Sequence, residues 1–233
     1  MFSQEIAKTD ITEEKNISLM TLDEFQDWYP DGYYGRFELR NGVIFKVQPT
    51  GTHEQVAGFL ASKLSILIER LNLPFFVPRQ GLVKAIDSEK SAYIPDVMVL
   101  DYNALGNEPL WKKRSTLTQG TSIKLAIEVV STNWQDDYLM KLGEYEKLGI
   151  SEYWIVDYLG LGGRRYIGDP KQRCDPADSQ SAKECAPREP TISVYHLVEG
   201  EYMVNLFRGQ DVVSSPTFPE FNLTAEQIFA VRQ

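Results

Sequence analysis

Two acidic residues stand where apolar strands would be expected. Glu128 lies in the middle of IKLAIEVVS (residues 123–131), and Asp96 follows a proline in YIPDVMVL (residues 93–100). An unpaired ionised carboxylate buried in such a run is costly, so a cation or a proton must meet it. If the two runs are neighbouring strands, their acids fall on one face about 5 Å apart, the spacing of cross-strand partners. Carboxylates that close repel, and one holds a proton near neutral pH unless a cation lies between them. A divalent ion resolves the conflict. Mg2+, or Mn2+ in its place, accepts one or two carboxylates and keeps several waters, which leaves positions for a phosphate oxygen and an attacking water. Downstream, Tyr138, Lys141, Tyr145 and Leu148 are spaced by three, four and three, which puts Lys141 on the helical stripe facing the sheet. There it can stabilise charge developing on a phosphate, pair with Glu128, or run its stem to solvent. Taken singly, Asp96 also reads as a strand-end cap and Glu128 as half of an internal ion pair.

The elements that would position these groups are legible from pattern. TLDE at 21–24 offers a capping box for a short first helix. FELRNGVIFKV carries Asn41 and Gly42 between two strand-like runs and predicts a hairpin over about residues 36–48. THEQ opens a second helix in which Val56, Leu60, Leu64, Leu67 and Leu71 recur at spacings of three and four, and Pro74 ends it. Strands are expected over 75–86, 93–100 and 123–130, then a helix through DDYLMKLGEYEKLG closing at Gly149, then a strand in EYWIVD. A second hairpin joins TISVYHLV to EYMVNLFRG, and a last short helix opens at Thr224.

The chain has 233 residues and 42% hydrophobic content, enough for one sizeable core, and is expected to form a single domain over 19–233. Residues 1–18 are a polar, flexible lead-in, and residues 169–190 a polar insertion with little to bury. No apolar run is long enough to span a membrane and the first residues lack a secretory pattern, so the expected location is cytoplasmic. Cys174 and Cys185 both fall in the polar insertion and supply neither a disulfide framework nor a zinc site. A net charge of -9 disfavours indiscriminate binding of nucleic acid. Contacts to a phosphate backbone would need local basic patches such as Lys112, Lys113 and Arg114, or Arg164 and Arg165, although such clusters are usually solvated loops.

The order helix, strand, strand with P-D, strand with E-x-x, helix, strand is similar to the restriction-endonuclease-like superfamily, whose motif is PD-(D/E)xK. More closely, FELRNGVIF, the helix opening at His53, YIPDVMVL, IEVVS, D-x-x-x-K and GISEYWIVD resemble the Uma-type putative restriction endonucleases, formerly a domain of unknown function. The resemblance runs from about residue 20 to residue 225. It implies an α/β fold: a mixed central sheet flanked by helices, with extra N-terminal and C-terminal β-hairpins. It also implies metal ligation by Asp96 and Glu128, with Glu38 a further ligand or outer-shell group, His53 at the mouth and Asp137 one helical turn before Lys141. The superfamily's lysine should lie two residues after the glutamate, where this chain has Val130, so Lys141 from the next helix is the expected replacement. His53 also has a plainer role in the first turn of its helix.

These features point to a metal-dependent DNA endonuclease using Mg2+ or Mn2+. DNA is supplied by the resemblance, as is a homodimer, since cutting both strands favours two sites. The residues alone supply a metal and a phosphate. The rival is a nuclease-like module that binds nucleic acid or a protein partner without cutting, favoured by Val130 and by the acidic net charge.

Overall fold

The computed structural model describes residues 19–29, 35–131, 134–162 and 189–231. The lead-in at 1–18, Arg164, Arg165, Cys174, Cys185 and nearly all of the polar insertion lie outside them. Two mixed sheets and their helices form the body. The central sheet has the order β11-β10-β9-β8-β6-β3, formed by Glu201–Phe207, Thr191–Val198, Glu152–Asp157, Ile123–Val129, Val97–Asp101 and Phe75–Phe76. The second sheet has the order β2-β1-β5-β4-β7, formed by Val43–Val47, Arg36–Arg40, Ala92–Tyr93, Leu82–Lys84 and Thr116–Leu117.

Alternation along β6 and β8 divides the core in two. Val97, Val99, Leu125, Ile127 and Val129 face helix α2 (Gly51–Arg70), whose Val56, Leu60 and Leu64 are fully covered; the terminal helix α5 (Ala225–Phe229) adds Ile228 to the same layer. Met98, Leu100, Ala126 and Val130 face the other way, onto Tyr138, Tyr145 and Leu148. Full burial of a side chain such as Leu60 contributes about 1.5–3 kcal/mol, so these two layers hold the sheet rigidly between them. The capped first helix α1 (Leu22–Trp28) seats Leu22 and Phe25 against the second sheet through Phe37 and Leu39. Its capping box is present, as is the one that opens α5 at Thr224.

The expected hairpins form, with Asn41 and Gly42, and again Glu199 and Gly200, in the positive-φ conformation that a two-residue turn requires. Two expected strands differ from pattern. The run at 75–86 is divided between β3 in the central sheet and β4 in the second, and the run at 93–100 between β5 and β6 in the same way. A proline stands at each break, Pro78 and Pro95, and has no N–H to continue a ladder. Each run therefore crosses from one sheet to the other, and Asp96 is placed at the second crossing. The N-terminal hairpin thus belongs to a separate five-stranded sheet, whereas the C-terminal one extends the central sheet.

The helix after β8 also departs from pattern. Asp136–Lys141 is π-helical and only Leu142–Leu148, helix α4, is regular. Helix α4 ends at Gly149, whose φ of 83° suits the left-handed cap, and the turn is packed against Gly120. A Cβ built on Gly120 would lie 2.3 Å from the Leu148 carbonyl oxygen and 2.7 Å from the Ile150 nitrogen, both backbone atoms that cannot swing aside. Gly120→Ala is therefore expected to cost roughly 1–3 kcal/mol, a fall in Tm of several degrees by thermal melting. An unchanged Tm would show that this turn is not held in place by Gly120.

Candidate functional site

Register brings the two strand acids together. Val97 is opposite Ile127 at the end of the antiparallel β6–β8 pair, and Asp96 stands immediately before that strand, near enough to Glu128 for its charge to raise the Glu128 carboxyl. Lys141 reaches the same point from the π-helical segment. Its Nζ lies 2.9 Å from Glu128 Oε2, 3.4 Å from Glu38 Oε1 and 3.5 Å from Asp137 Oδ1. Glu38 comes from β1 of the second sheet, so three separate elements meet at one ammonium group.

The remaining oxygens are also engaged. The Tyr145 hydroxyl donates to Glu128 Oε1 at 2.9 Å. Arg40 donates through Nε and Nη2 to Glu38 Oε2, at 2.9 and 2.6 Å, and its other amino group bonds Asp136. The Ile94 backbone N–H donates to Glu38 Oε1 at 3.0 Å. Asp96 Oδ2 accepts from the Val129 N–H at 2.9 Å and from His53 Nε2 at 3.0 Å, while Arg36 lies 3.5 Å from Oδ1. Glu38, Arg40, His53, Asp96, Glu128, Asp137 and Lys141 line one cavity of about 310 Å³, to which Lys46 and Thr50 also contribute.

Electrostatics separates the acids into two kinds. Burial pushes Glu38 up, but Lys141 and Arg40 outweigh it and hold the carboxyl below its usual range. Burial likewise opposes the charge on Asp96, yet the His53 hydrogen bond and charge, with Lys141 and Arg36, bring it low. Glu128 is different: burial raises it well above the usual range, Lys141 offsets only part of this, and the neighbouring Asp96, Asp137 and Glu38 add to the rise. Asp137 is pushed up to about 7 by burial, again with Lys141 pulling down and Asp96 and Glu38 pushing up. Lys141, despite its burial, is held firmly protonated by Glu128, Glu38 and Asp137. The cluster has more acid than its own cations can satisfy.

That excess, together with the donors themselves, tests the site against a divalent ion. Carboxylate oxygens are the hard ligands that Mg2+ or Mn2+ selects. Among the described residues no group of three His, Cys, Asp or Glu could hold an ion unaided. A pair of carboxylates with the other positions left to water and substrate is nevertheless what Mg2+ accepts, and Asp96 and Glu128 could supply such a pair. The donor set therefore fits, with Glu128 exchanging part of its present hydrogen bonding.

The structure thus brings Asp96, Glu128, Lys141, Glu38, Asp137 and His53 into one cluster. Lys112, Lys113 and Arg114 lie elsewhere, on the exposed short helix α3 (Trp111–Arg114), where Arg114 is bonded to Asp27. A larger cavity of about 570 Å³ opens beside Lys113 and Arg114, but the concentration of charge is in the smaller one. Val130, in the position of the superfamily's lysine, is fully buried in the apolar layer with Tyr138, Tyr145 and Tyr153. His53 proves to be more than a first-turn residue, since its ring is buried and bonded to Asp96. Sequence reasoning missed Arg36, Arg40 and Tyr145. The first two had a signal in RFELR, where Arg36, Glu38 and Arg40 alternate with Phe37 and Leu39 and so share one face of β1.

Comparison with known proteins places these observations. The Uma2 family model, described as putative restriction endonuclease, matches residues 22–226. A crystal structure from Anabaena variabilis ATCC 29413, described as a putative nuclease belonging to DUF820, has a TM-score of 0.62 at 16% identity, covering 92% of this chain and 99% of that chain. At that identity the likeness shows a shared fold. No curated protein matches.

Asp137 provides a check on the charge excess. Its carboxyl is raised from an ordinary 3.8 to about 7, so folding favours its protonated form. The stability it contributes is complete below its unfolded value and is lost as pH rises from about 4 to about 7. In metal-free buffer Asp137→Asn should flatten the decline of Tm across that window. A variant whose Tm follows the wild-type slope throughout would contradict the excess of acid.

Proposed function

We propose a function that takes family membership as its premise: the chain belongs to the Uma2 family of putative restriction endonucleases. Membership supports a nuclease-like activity, hydrolysis of phosphodiester bonds. The observation that carries the finer proposal is the juxtaposition of Asp96 and Glu128 with the Lys141 ammonium beside the cavity. On this proposal the protein is a metal-dependent DNA endonuclease, with Asp96 and Glu128 holding Mg2+ or Mn2+ and Glu38 as a supporting acid.

A divalent ion bound there would polarise the scissile phosphate and lower the pKa of a water. The chain's own residues supply the rest. Lys141, held protonated, is a fixed cation aimed at the cavity and can stabilise negative charge developing on a phosphate oxygen without reorganising. Arg40 holds Glu38 and Asp136 in place, and Tyr145 fixes the rotamer of Glu128. The sheet behind them excludes water from the acids' inner side, since Val129 and Val130 are buried. Lys46, which also lines the cavity, offers a charge for an incoming strand, and a second copy of the chain would supply the second cut.

One observation favours the rival, a module that binds nucleic acid or a protein without cutting. Both oxygens of Glu128 already accept hydrogen bonds, from Lys141 and Tyr145. Supercoiled plasmid incubated with Mg2+ or Mn2+ separates the two. Wild type should nick it, while Asp96→Asn and Glu128→Gln should each lose activity by at least about 100-fold, the scale of a missing electrostatic group. Because folding disfavours the charged form of Glu128, Glu128→Gln should keep or raise Tm in metal-free buffer. Full cleavage by either variant would sink the assignment, and metal-independent binding without cleavage by wild type would support the rival.

A further inference from the structure

The proposal that follows rests on the metal-binding assignment of Asp96 and concerns a residue outside the acidic set. His53 sits in the first turn of α2, a helix of 20 residues that is otherwise occupied with filling the core. Its side chain is 5% exposed, and it lines the cavity. Its Nε2 lies 3.0 Å from Asp96 Oδ2, and a carboxylate oxygen accepts, so the ring with its hydrogen on Nε2 makes this bond. The other nitrogen, Nδ1, is buried and has no hydrogen-bond partner among the described residues. It is 3.9 Å from Glu54 Oε1, beyond hydrogen-bonding reach.

A histidine kept for core stability would satisfy both nitrogens, because an unmatched buried polar atom is a net loss. Here the polar function of the ring is spent on one oxygen of one acid. The consequence for Asp96 is geometric. Oδ2 takes two donors, His53 Nε2 and the Val129 N–H, arriving from different elements, which leaves the carboxylate no freedom to rotate about its own axis. Oδ1 receives only the long 3.5 Å contact from Arg36. The two oxygens are thereby made inequivalent: one is committed to the protein and the other is the one available to a ligand.

We infer that His53 is a positioning residue for the metal site, acting through Asp96 by locking Oδ2 so that Oδ1 is presented to the cation. It fills the place that an outer-shell partner takes behind a ligating carboxylate, and α2 is the rigid element that holds it there. Its effect is on affinity for the ion and not on the reacting atoms.

The test is Mn2+ binding to the full chain, followed by electron paramagnetic resonance or calorimetry, with no substrate present. Gln at this position can place its amide nitrogen near the site of Nε2, whereas Asn is too short to do so and approximates Nδ1 instead. His53→Gln should bind Mn2+ close to the wild-type affinity. His53→Asn and His53→Ala should bind about 10–100-fold more weakly, the loss typical of a removed outer-shell partner. Melting curves accompany each variant, so that the comparison uses folded protein, and Gln against Asn keeps the test alive if Ala does not fold. Equal Mn2+ affinity in His53→Gln and His53→Asn would overturn the inference. Asp96→Asn measured alongside keeps the two ideas apart: if it binds Mn2+ as wild type does, the metal assignment itself fails; if it weakens binding while the His53 variants do not, only the inference about His53 fails.

Discussion

One buried ammonium group holds three elements of this protein to each other. Lys141 draws Glu128 from the central sheet, Glu38 from the second sheet and Asp137 from its own π-helical turn to a single point. Each of these acids is almost fully covered, and taking the cation away would leave uncompensated buried charge, a loss of roughly 3–5 kcal/mol. The pair does not arise from a need for stability, because apolar residues of similar volume would do that work as well or better. Glu128 and Asp137 are raised carboxyls, chiefly through burial and further through the neighbouring acids, with Lys141 offsetting only part of the rise. On the proposed function, a divalent ion at the cavity would supply the further positive charge.

The rest of the architecture serves that point. Crossing prolines pass the chain from sheet to sheet, and Pro95 does so immediately before Asp96, which places this acid at the seam between the two sheets. The π-helical segment is where Asp136, Asp137 and Lys141 reside, and such bulges are frequent at functional sites because they re-aim side chains out of the regular helical register. Helix α2 packs Val56, Leu60, Leu64 and their neighbours into one core layer and, at its first turn, sends His53 to Asp96.

How far the sequence revealed this depends on whether a feature leaves a local mark. Glu128 and Asp96 are conspicuous because each interrupts an apolar run, and the spacing of Tyr138, Lys141 and Tyr145 correctly turns Lys141 inward even though the backbone there is π-helical. Hairpins and capping boxes are equally local, set by Asn41 and Gly42 or by Thr21 and Glu24. What could not be read is long-range. The pairing of Leu39 with Ala92 joins strands some fifty residues apart, and nothing near either residue announces it, so the second sheet was invisible. Tyr145 looked like an ordinary sheet-facing helix residue because its partner lies in another element, and His53 was placed near the site by the family resemblance alone. Val130 was legible only as an absence; its place in a fully buried apolar layer shows that a lysine there would have displaced the packing of Tyr138 and Tyr145, whereas one on the facing helix reaches Glu128 without disturbing that layer.

On the proposed function, Asp96 and Glu128 form a divalent-cation site. Crystals grown without metal and soaked in Mn2+ would test it most directly, through anomalous diffraction at the manganese edge. The account predicts a strong peak in contact with both Asp96 and Glu128, at the cavity that Lys141 also lines. A fully soaked crystal with no peak at those carboxylates, which keep only Lys141, Arg36 and His53 as their counter-charges, would contradict it.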